Sequence, residues 1–228
     1  MKNIKTLIAA CALMLMGFSS SVMSDSSNFA GPYIGLQGSS VGVGVEGQQT
    51  GGADDVNEEA KAPVGITGVT AGYEVGYAIP VGSMFLLDIG GSFIDGAASL
   101  KTSSNDVAAT ESVKMVISDF MTGYVAPTLV LSDTSSLYIK LAYTEASVNV
   151  TGDITNPGDL QGDTYAIGTR TVLDSGIFIR AEAGMTDYDN VKSAGKGGIS
   201  GQGGIATTTK FEADPTVAYG AISLGFRF

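Results

Sequence analysis

Eight ionisable residues recur at alternate positions in stretches that are otherwise apolar or small. Glu74, Asp88, Asp119 and Glu182 stand against Lys140, Arg170, Arg180 and Arg227. Four acids against four bases is a balance the whole chain does not share, since it carries 23 acidic and 12 basic residues and a formal charge of −11. This set does not point to acid–base catalysis. The chain has no His, and its Ser and Asp residues form no spacing that couples a nucleophile to a base. Such a set fits mutual neutralisation in a narrow, poorly hydrated space. An unpaired charge there would cost several kcal/mol or be driven neutral. The alternative is eight charges on the wet face of a soluble sheet, where no balance is required.

The elements that carry these residues alternate with period 2, the signature of strands. The last stretch, Thr216 to Phe228, sets Ile222, Leu224, Phe226 and Phe228 on one side and Ala221, Ser223, Gly225 and Arg227 on the other. An apolar strand of this kind needs a partner, and pairing with the first strand closes a barrel. The first strand spans Pro32 to Glu46, with Ile34 and Leu36 opposite Tyr33, Gly35 and Gln37. Val41, Val43 and Val45 then fall on the Gln37 side, which predicts a bulge between Gly38 and Ser40 that resets the phase. The second strand, Gly65 to Tyr77, sets Val69, Ala71, Tyr73, Val75 and Tyr77 against Thr70, Gly72, Glu74 and Gly76. The third, Met84 to Ile94, sets Leu87, Ile89 and Phe93 against Asp88, Gly90 and Ser92.

The fourth strand, Glu111 to Ala126, is predicted to hold Val116, Phe120 and Tyr124 opposite Asp119 and Gly123. The fifth, Ser136 to Glu145, has Lys140 between Tyr138 and Ala142. The sixth, Gly162 to Leu173, has Gly168 and Arg170 opposite Tyr165 and Ile167. The seventh, Ile177 to Thr186, has Arg180 and Glu182 opposite Ile179, Ala181, Ala183 and Met185. Long polar loops are expected at Gln48 to Pro63, Asp95 to Thr110, Asn149 to Asp159 and Asp187 to Pro215, with short turns between them.

Long and short connections alternate around eight strands. An all-β, eight-stranded antiparallel up-and-down transmembrane β-barrel then puts every long loop at one rim, with both termini and every short turn at the other. An even strand count leaves no backbone edge in lipid. An eight-stranded barrel is just wide enough inside for side chains to fill it. With the charged faces inward, the apolar faces must look outward to lipid. Tyr33, Tyr73, Tyr77, Tyr124, Tyr143, Phe120, Phe226 and Phe228 are expected to form an aromatic girdle. The inverted arrangement, a soluble lipocalin-like barrel, would leave outer faces too poor in charge for water.

The bulk numbers agree with this class. There are 32 Gly in 228 residues and only 15% charged residues. The acidic balance excludes a nucleic-acid partner. A single Cys allows no internal disulfide and no cysteine metal cluster. Residues 1–24 read as an export signal: Lys2 and Lys5 precede an apolar run from Leu7 to Phe18, too short to span a bilayer as a helix, and small residues precede Asp25. Cys11 lies within this run, which continues well past it and so does not read as a lipoprotein signal. Cleavage after Ser24 leaves a mature domain of residues 25–228 with 10 bases against 23 acids, a charge of −13.

Four stretches carry a family resemblance: Gly31 to Gln37, Ala71 to Tyr77, Leu173 to Glu182 and Ile222 to Phe228. They resemble the small eight-stranded outer-membrane barrels of Gram-negative bacteria, the group of the OmpA transmembrane domain and the opacity-type proteins. The resemblance implies ion pairs inside the barrel, with Glu74, Lys140, Arg180 and Glu182 at matching positions. It also implies that Phe226 and Phe228 serve as a signal to the outer-membrane assembly machinery. Gln37 stands where a base is common, and Arg170 where an acid is common. The peptidoglycan-binding domain of some relatives is not expected here.

The expected role is structural or surface-interacting, with a lumen filled by ion-paired side chains and at most weakly conducting. The alternatives are a surface adhesin or immune-evasion protein acting through its loops, and a narrow ion-conducting porin. No cofactor or metal is expected. Asp54, Asp55, Glu58 and Glu59 read as a solvated loop. The glycine-rich runs at 195–198 and 201–204 lack the spacing of a phosphate loop. The expected partners are outer-membrane lipid and lipopolysaccharide, the assembly machinery, and a host or cell-surface ligand reached through the loops.

Overall fold

A computed structural model describes residues 25–50, 58–102, 113–152, 154–173, 175–197 and 209–228. Residues 1–24, expected to be an export signal, therefore lie outside the described residues, as do Asp54 and Asp55. The chain forms β1 (Gly31–Thr50), β2 (Glu58–Pro80), β3 (Phe85–Thr102), β4 (Val113–Val130), β5 (Ser135–Thr151), β6 (Leu160–Val172), β7 (Ile177–Tyr188), β8 (Val191–Ala194) and β9 (Lys210–Arg227). Every pairing is antiparallel, each barrel strand lies beside its sequence neighbour, and β9 returns to β1. Eight strands close the barrel, while the short β8 pairs with β9 beyond the end of β7.

Four-residue connections at 81–84, 131–134 and 173–176 lie at one rim, each closed by a backbone hydrogen bond such as Val81 N–H to the Phe85 carbonyl, 2.8 Å. Gly82 and Gly176 turn through φ of 115° and 81°, a backbone region that favours glycine. A 3₁₀ turn at Ser26–Phe29 lies against the same rim.

The outward face is apolar. Leu36 is 72% exposed, Ile222 66% and Leu224 59%, with Ile34, Val75, Ile89, Ile167 and Ile179 also open. On β7 this band runs from Ile177 to Met185, about 20 Å high for a tilted strand. It stops at acids. Outward Asp95, Asp119, Glu145, Asp163 and Asp187 lie two residues from Phe93, Met121, Tyr143, Tyr165 and Met185 on five consecutive strands.

The strands continue well past that boundary. β2 has 23 residues and β1 has 20, against about 9–11 needed to cross a bilayer. Part of what reads as loop, at 48–50, 58–63, 95–102 and 210–215, is therefore strand. Beyond the boundary the polarity of the two faces inverts. Val41, Val43, Ile117, Phe120, Ala146, Val148, Leu160, Tyr188 and Val217 point inward and form one buried cluster. Ser40, Glu46, Glu145, Asn149 and Gln161 point outward.

This inversion corrects the first-strand expectation. β1 pairs with β9 without a shift from Tyr33↔Arg227 to Thr50↔Lys210. Val41 and Val43 thus stay on the Gln37 side with no reset. The irregularities against β2 come from the β2 side, where extra residues are inserted. The valines change solvent without changing phase. Below the boundary the outside is apolar; above it the inside is.

The fourth strand is corrected too. β4 bulges against β5 between Ser118 and Met121, and Asp119 there has φ 56°. The bulge puts Ile117, not Val116, on the buried face with Phe120. It leaves Asp119 exposed, bonded by Ser118 Oγ at 3.0 Å. Of the expected girdle, Tyr73, Tyr77, Tyr143, Phe226 and Phe228 are exposed, whereas Tyr33, Phe120 and Tyr124 are buried inside the barrel.

Candidate functional site

Strand parity delivers the site. Glu74, Asp88, Lys140, Arg170, Arg180 and Glu182 all fall on inward positions of β2, β3, β5, β6 and β7, and all are buried. They form two joined groups in the middle of the lumen. Arg180 bonds Glu74 Oε2 through Nη1 at 2.8 Å and lies 3.5 Å from Asp88 Oδ2 through Nη2. Arg170 also pairs with Asp88. Lys140 Nζ meets Glu182 at 2.6 Å. Three acids thus face three bases. Asp119 is absent from this layer, and Arg227 is at the rim, where its Nη1 donates to the Ser27 and Ala30 carbonyls at 3.3 and 3.0 Å.

Four tyrosines complete the layer, none of them among the ionisable residues singled out from the sequence. Tyr138 and Tyr219 donate to Glu182 at 2.7 and 2.8 Å. Tyr33 and Tyr124 share a hydrogen bond of 2.7 Å, and Arg180 Nη1 donates to Tyr124 at 3.3 Å. The cations also lie over rings: Lys140 over Tyr124 at 4.4 Å, Arg170 over Tyr33 at 4.8 Å and Arg180 over Tyr138 at 5.0 Å. A sequence signal for these rings did exist. Four of the inward rings stand opposite an inward glycine on a neighbouring strand: Tyr33↔Gly76, Tyr124↔Gly90, Tyr138↔Gly168 and Phe178↔Gly225. A Cβ at any of these glycines would overlap the ring. The glycines therefore let the rings lie across the lumen wall.

The charged layer is flanked on both sides. Towards the long loops, Thr122, Thr144, Thr164 and Thr186 pass hydrogen bonds across four strands at 2.9, 2.6 and 2.7 Å. The apolar cluster around Val43, Ile117 and Leu160 lies beyond them. Towards the short turns, Phe29, Leu86, Val130, Val172 and Phe178 form a second apolar cluster. A partly open cavity of about 30 Å³ runs from Val41, Phe120 and Val217 of the first cluster past the threonines to Lys140 and Glu182, room for about one or two waters. The layer holds opposite charges together in a buried interior. Among the described residues, no cluster of His, Cys, Asp or Glu is arranged to hold a metal ion.

Comparison with known proteins accords with this architecture. The family model of the outer membrane protein beta-barrel domain matches residues 10–203. The outer membrane protein OprG from Pseudomonas aeruginosa is 12% identical, with a TM-score of 0.51 over 87% of this chain and 97% of that one. Ail, the attachment invasion locus protein of Yersinia pestis, solved with the heparin analogue sucrose octasulfate, is 14% identical, with a TM-score of 0.43 over 85% and 99%. The outer membrane protease OmpT from Escherichia coli is 10% identical, with a TM-score of 0.48 over 87% and 97%. At 12% identity the likeness to OprG shows the fold alone. No curated protein matches the sequence significantly.

Proposed function

The chain belongs to the outer membrane protein beta-barrel family, and from that premise we propose that it is an integral outer-membrane barrel with a closed lumen, whose role is structural or surface-interacting. One observation carries this reading: the short-turn end of the ion-paired layer is shut by the buried cluster of Phe29, Leu86, Val130, Val172 and Phe178, and the cavity that reaches Lys140 and Glu182 from the long-loop side is only about 30 Å³. A diffusion pore needs a continuous wet path. Here water would have to squeeze between Val41, Phe120, Tyr188 and Val217 at one end and pass Phe29, Leu86 and Phe178 at the other.

Residues 1–24 act as a cleaved export signal, and both mature termini lie in the periplasm with the short turns, as in barrels of this kind. Phe226 and Phe228 end the closing strand, are exposed and pack edge to face at 5.2 Å. They are the part of the chain offered to the assembly machinery. The outward apolar band meets lipid. The acids above it stand at the level of lipopolysaccharide head groups.

The surface-interaction half of this reading rests on strand length. β1, β2 and β9 continue together beyond the acidic boundary, joined by β8. The loop after β5 is tied to the end of β8 by the Thr155 N–H to the Ala194 carbonyl, 2.8 Å, and to the next residue by the Ile154↔Gly195 bridge. This is a braced sheet standing above the membrane, suited to adhesion.

The deciding experiment is gel mobility of the outer-membrane fraction with and without boiling, followed by planar-bilayer recording. A compact band that shifts on boiling, with no stepwise conductance, is expected. A soluble periplasmic protein with no shift would overturn the membrane reading, and steady conductance would overturn the closed lumen.

A further inference from the structure

The short-turn mouth of the barrel is not closed by the barrel strands alone. Inward Ala78, Leu86, Val130, Val172 and Phe178 ring it, and Phe29 fills the centre with no exposed surface. Phe29 precedes the first strand. It is brought there by the 3₁₀ turn Ser26–Phe29, which three separate parts of the rim hold down. Ser26 donates its N–H to the Ser83 carbonyl at 2.9 Å and its hydroxyl to the Gly82 carbonyl at 2.6 Å. Asn28 donates its amide to the Asp133 carbonyl at 3.4 Å. Arg227 donates to the Ser27 and Ala30 carbonyls from the last strand. Asp25 caps the turn by accepting the Ser27 N–H at 2.9 Å.

We propose that Asp25–Ala30 is a stopper for the periplasmic mouth of the lumen, and that removal of the export signal completes its latch. The proposal rests on the reading of residues 1–24 as a cleaved signal. The Asp25 nitrogen lies 3.3 Å from Asp133 Oδ1. Hydrolysis of the Ser24–Asp25 peptide bond by a leader peptidase consumes one water and leaves a carboxylate on Ser24 and an amino group on Asp25. That amino group takes up a proton near neutral pH. A neutral N–H donor facing Asp133 becomes an ammonium facing a carboxylate. The charged groups around it are the Asp25 and Asp133 side chains and, across the turn, Arg227.

The stopper protects the charged layer. Arg170 lies over the rings of Tyr33 and Phe178, which belong to the same cluster as Phe29, and its partner Asp88 is two residues from Leu86. Lifting Phe29 out exposes this pair to water first.

The test labels arginines with phenylglyoxal on the mature protein in detergent micelles, read by peptide mass spectrometry, with intact mass recorded first. In the wild type, Arg170 is expected to resist labelling. Phe29→Ala should label Arg170 at least about tenfold faster, as local opening becomes easier, while the boiling-dependent gel shift persists. Unchanged labelling in a folded Phe29→Ala barrel overturns the stopper. Should that variant fail to fold, the rim variant Ser26→Ala/Arg227→Gln decides, since it loosens the pins and leaves Phe29 in place. Faster labelling of Arg170 supports the proposal, and wild-type labelling overturns it. An intact mass that does not begin at Asp25 removes the latch and the signal reading, and leaves the labelling result to judge the stopper separately.

Discussion

Arg170 and Arg180 stand directly opposite one another on β6 and β7, and the single carboxylate of Asp88 reaches both from β3. Two guanidinium groups buried side by side repel each other. Asp88 offsets that repulsion from across the barrel, and Glu74 takes the free side of Arg180. This arrangement explains how a base is tolerated on the sixth strand, where the family resemblance implies an acid.

Asp88→Asn should therefore destabilise more than an ordinary buried substitution, by about 3–5 kcal/mol, because it leaves Arg170 buried without a carboxylate. Urea unfolding of the reconstituted barrel, followed by the gel shift, measures it. The double change Asp88→Leu/Arg170→Met should recover most of the loss, since apolar replacement of a buried pair is often neutral or better. A loss no larger in Asp88→Asn than in the double variant would show that leaving Arg170 without its carboxylate adds no cost.

The rings and glycines give a second expectation. A side chain at Gly168 would overlap Tyr138 and push its hydroxyl away from Glu182. Gly168→Val should cost about 1–3 kcal/mol through overpacking alone. Gly38, with no atom near the position of an added Cβ, is the control. Gly38→Ala should change stability by no more than about 0.5 kcal/mol.

Conductance tests the lumen independently of stability. Arg180→Ala removes the partner of Glu74 and one partner of Asp88. The apolar clusters above and below remain. The variant should lose stability and still show no stepwise current in a planar bilayer. Current appearing in Arg180→Ala but not in wild type would make the Glu74–Arg180 pair a gate. Unchanged stability together with unchanged current would remove the pair from either role.

The membrane boundary is equally open to measurement. Fluorescent labels on single cysteines at Leu36 and Met121, within the apolar band, should be quenched by brominated lipid chains. Labels at Ser40 and Asp163, above it, should not. Equal quenching at all four sites would mean that the acids do not mark the edge of the hydrocarbon.

Much of the lumen was legible from strand parity. Period 2 put Glu74, Asp88, Lys140, Arg170, Arg180 and Glu182 on one face of their strands, and all six lie inside. Parity also placed Tyr138 beside Lys140, but a tyrosine among apolar residues gives no sign of whether its hydroxyl meets lipid or a carboxylate. Asp119 failed because a bulge changes the count. One extra residue sends every side chain beyond it to the other face, and nothing in Ile117-Ser118-Asp119-Phe120 announces the insertion. Arg227 has inward parity but sits at the rim, a position along the barrel axis that parity does not encode.

The sequence by itself determined eight barrel strands, the faces of most of them, the alternation of long and short connections and the near neutrality of the inward charges. These are local properties, set by side-chain alternation and by turn residues. Only the tertiary structure decided which side chains meet. The tilt and stagger of a closed barrel choose the level at which Asp88 of β3 faces Arg170 of β6, and that choice depends on all eight registers together. It also decided the meaning of Val41 and Val43. Their parity never changes; the medium outside the wall does, from lipid to water, and the apolar side of the strand changes with it.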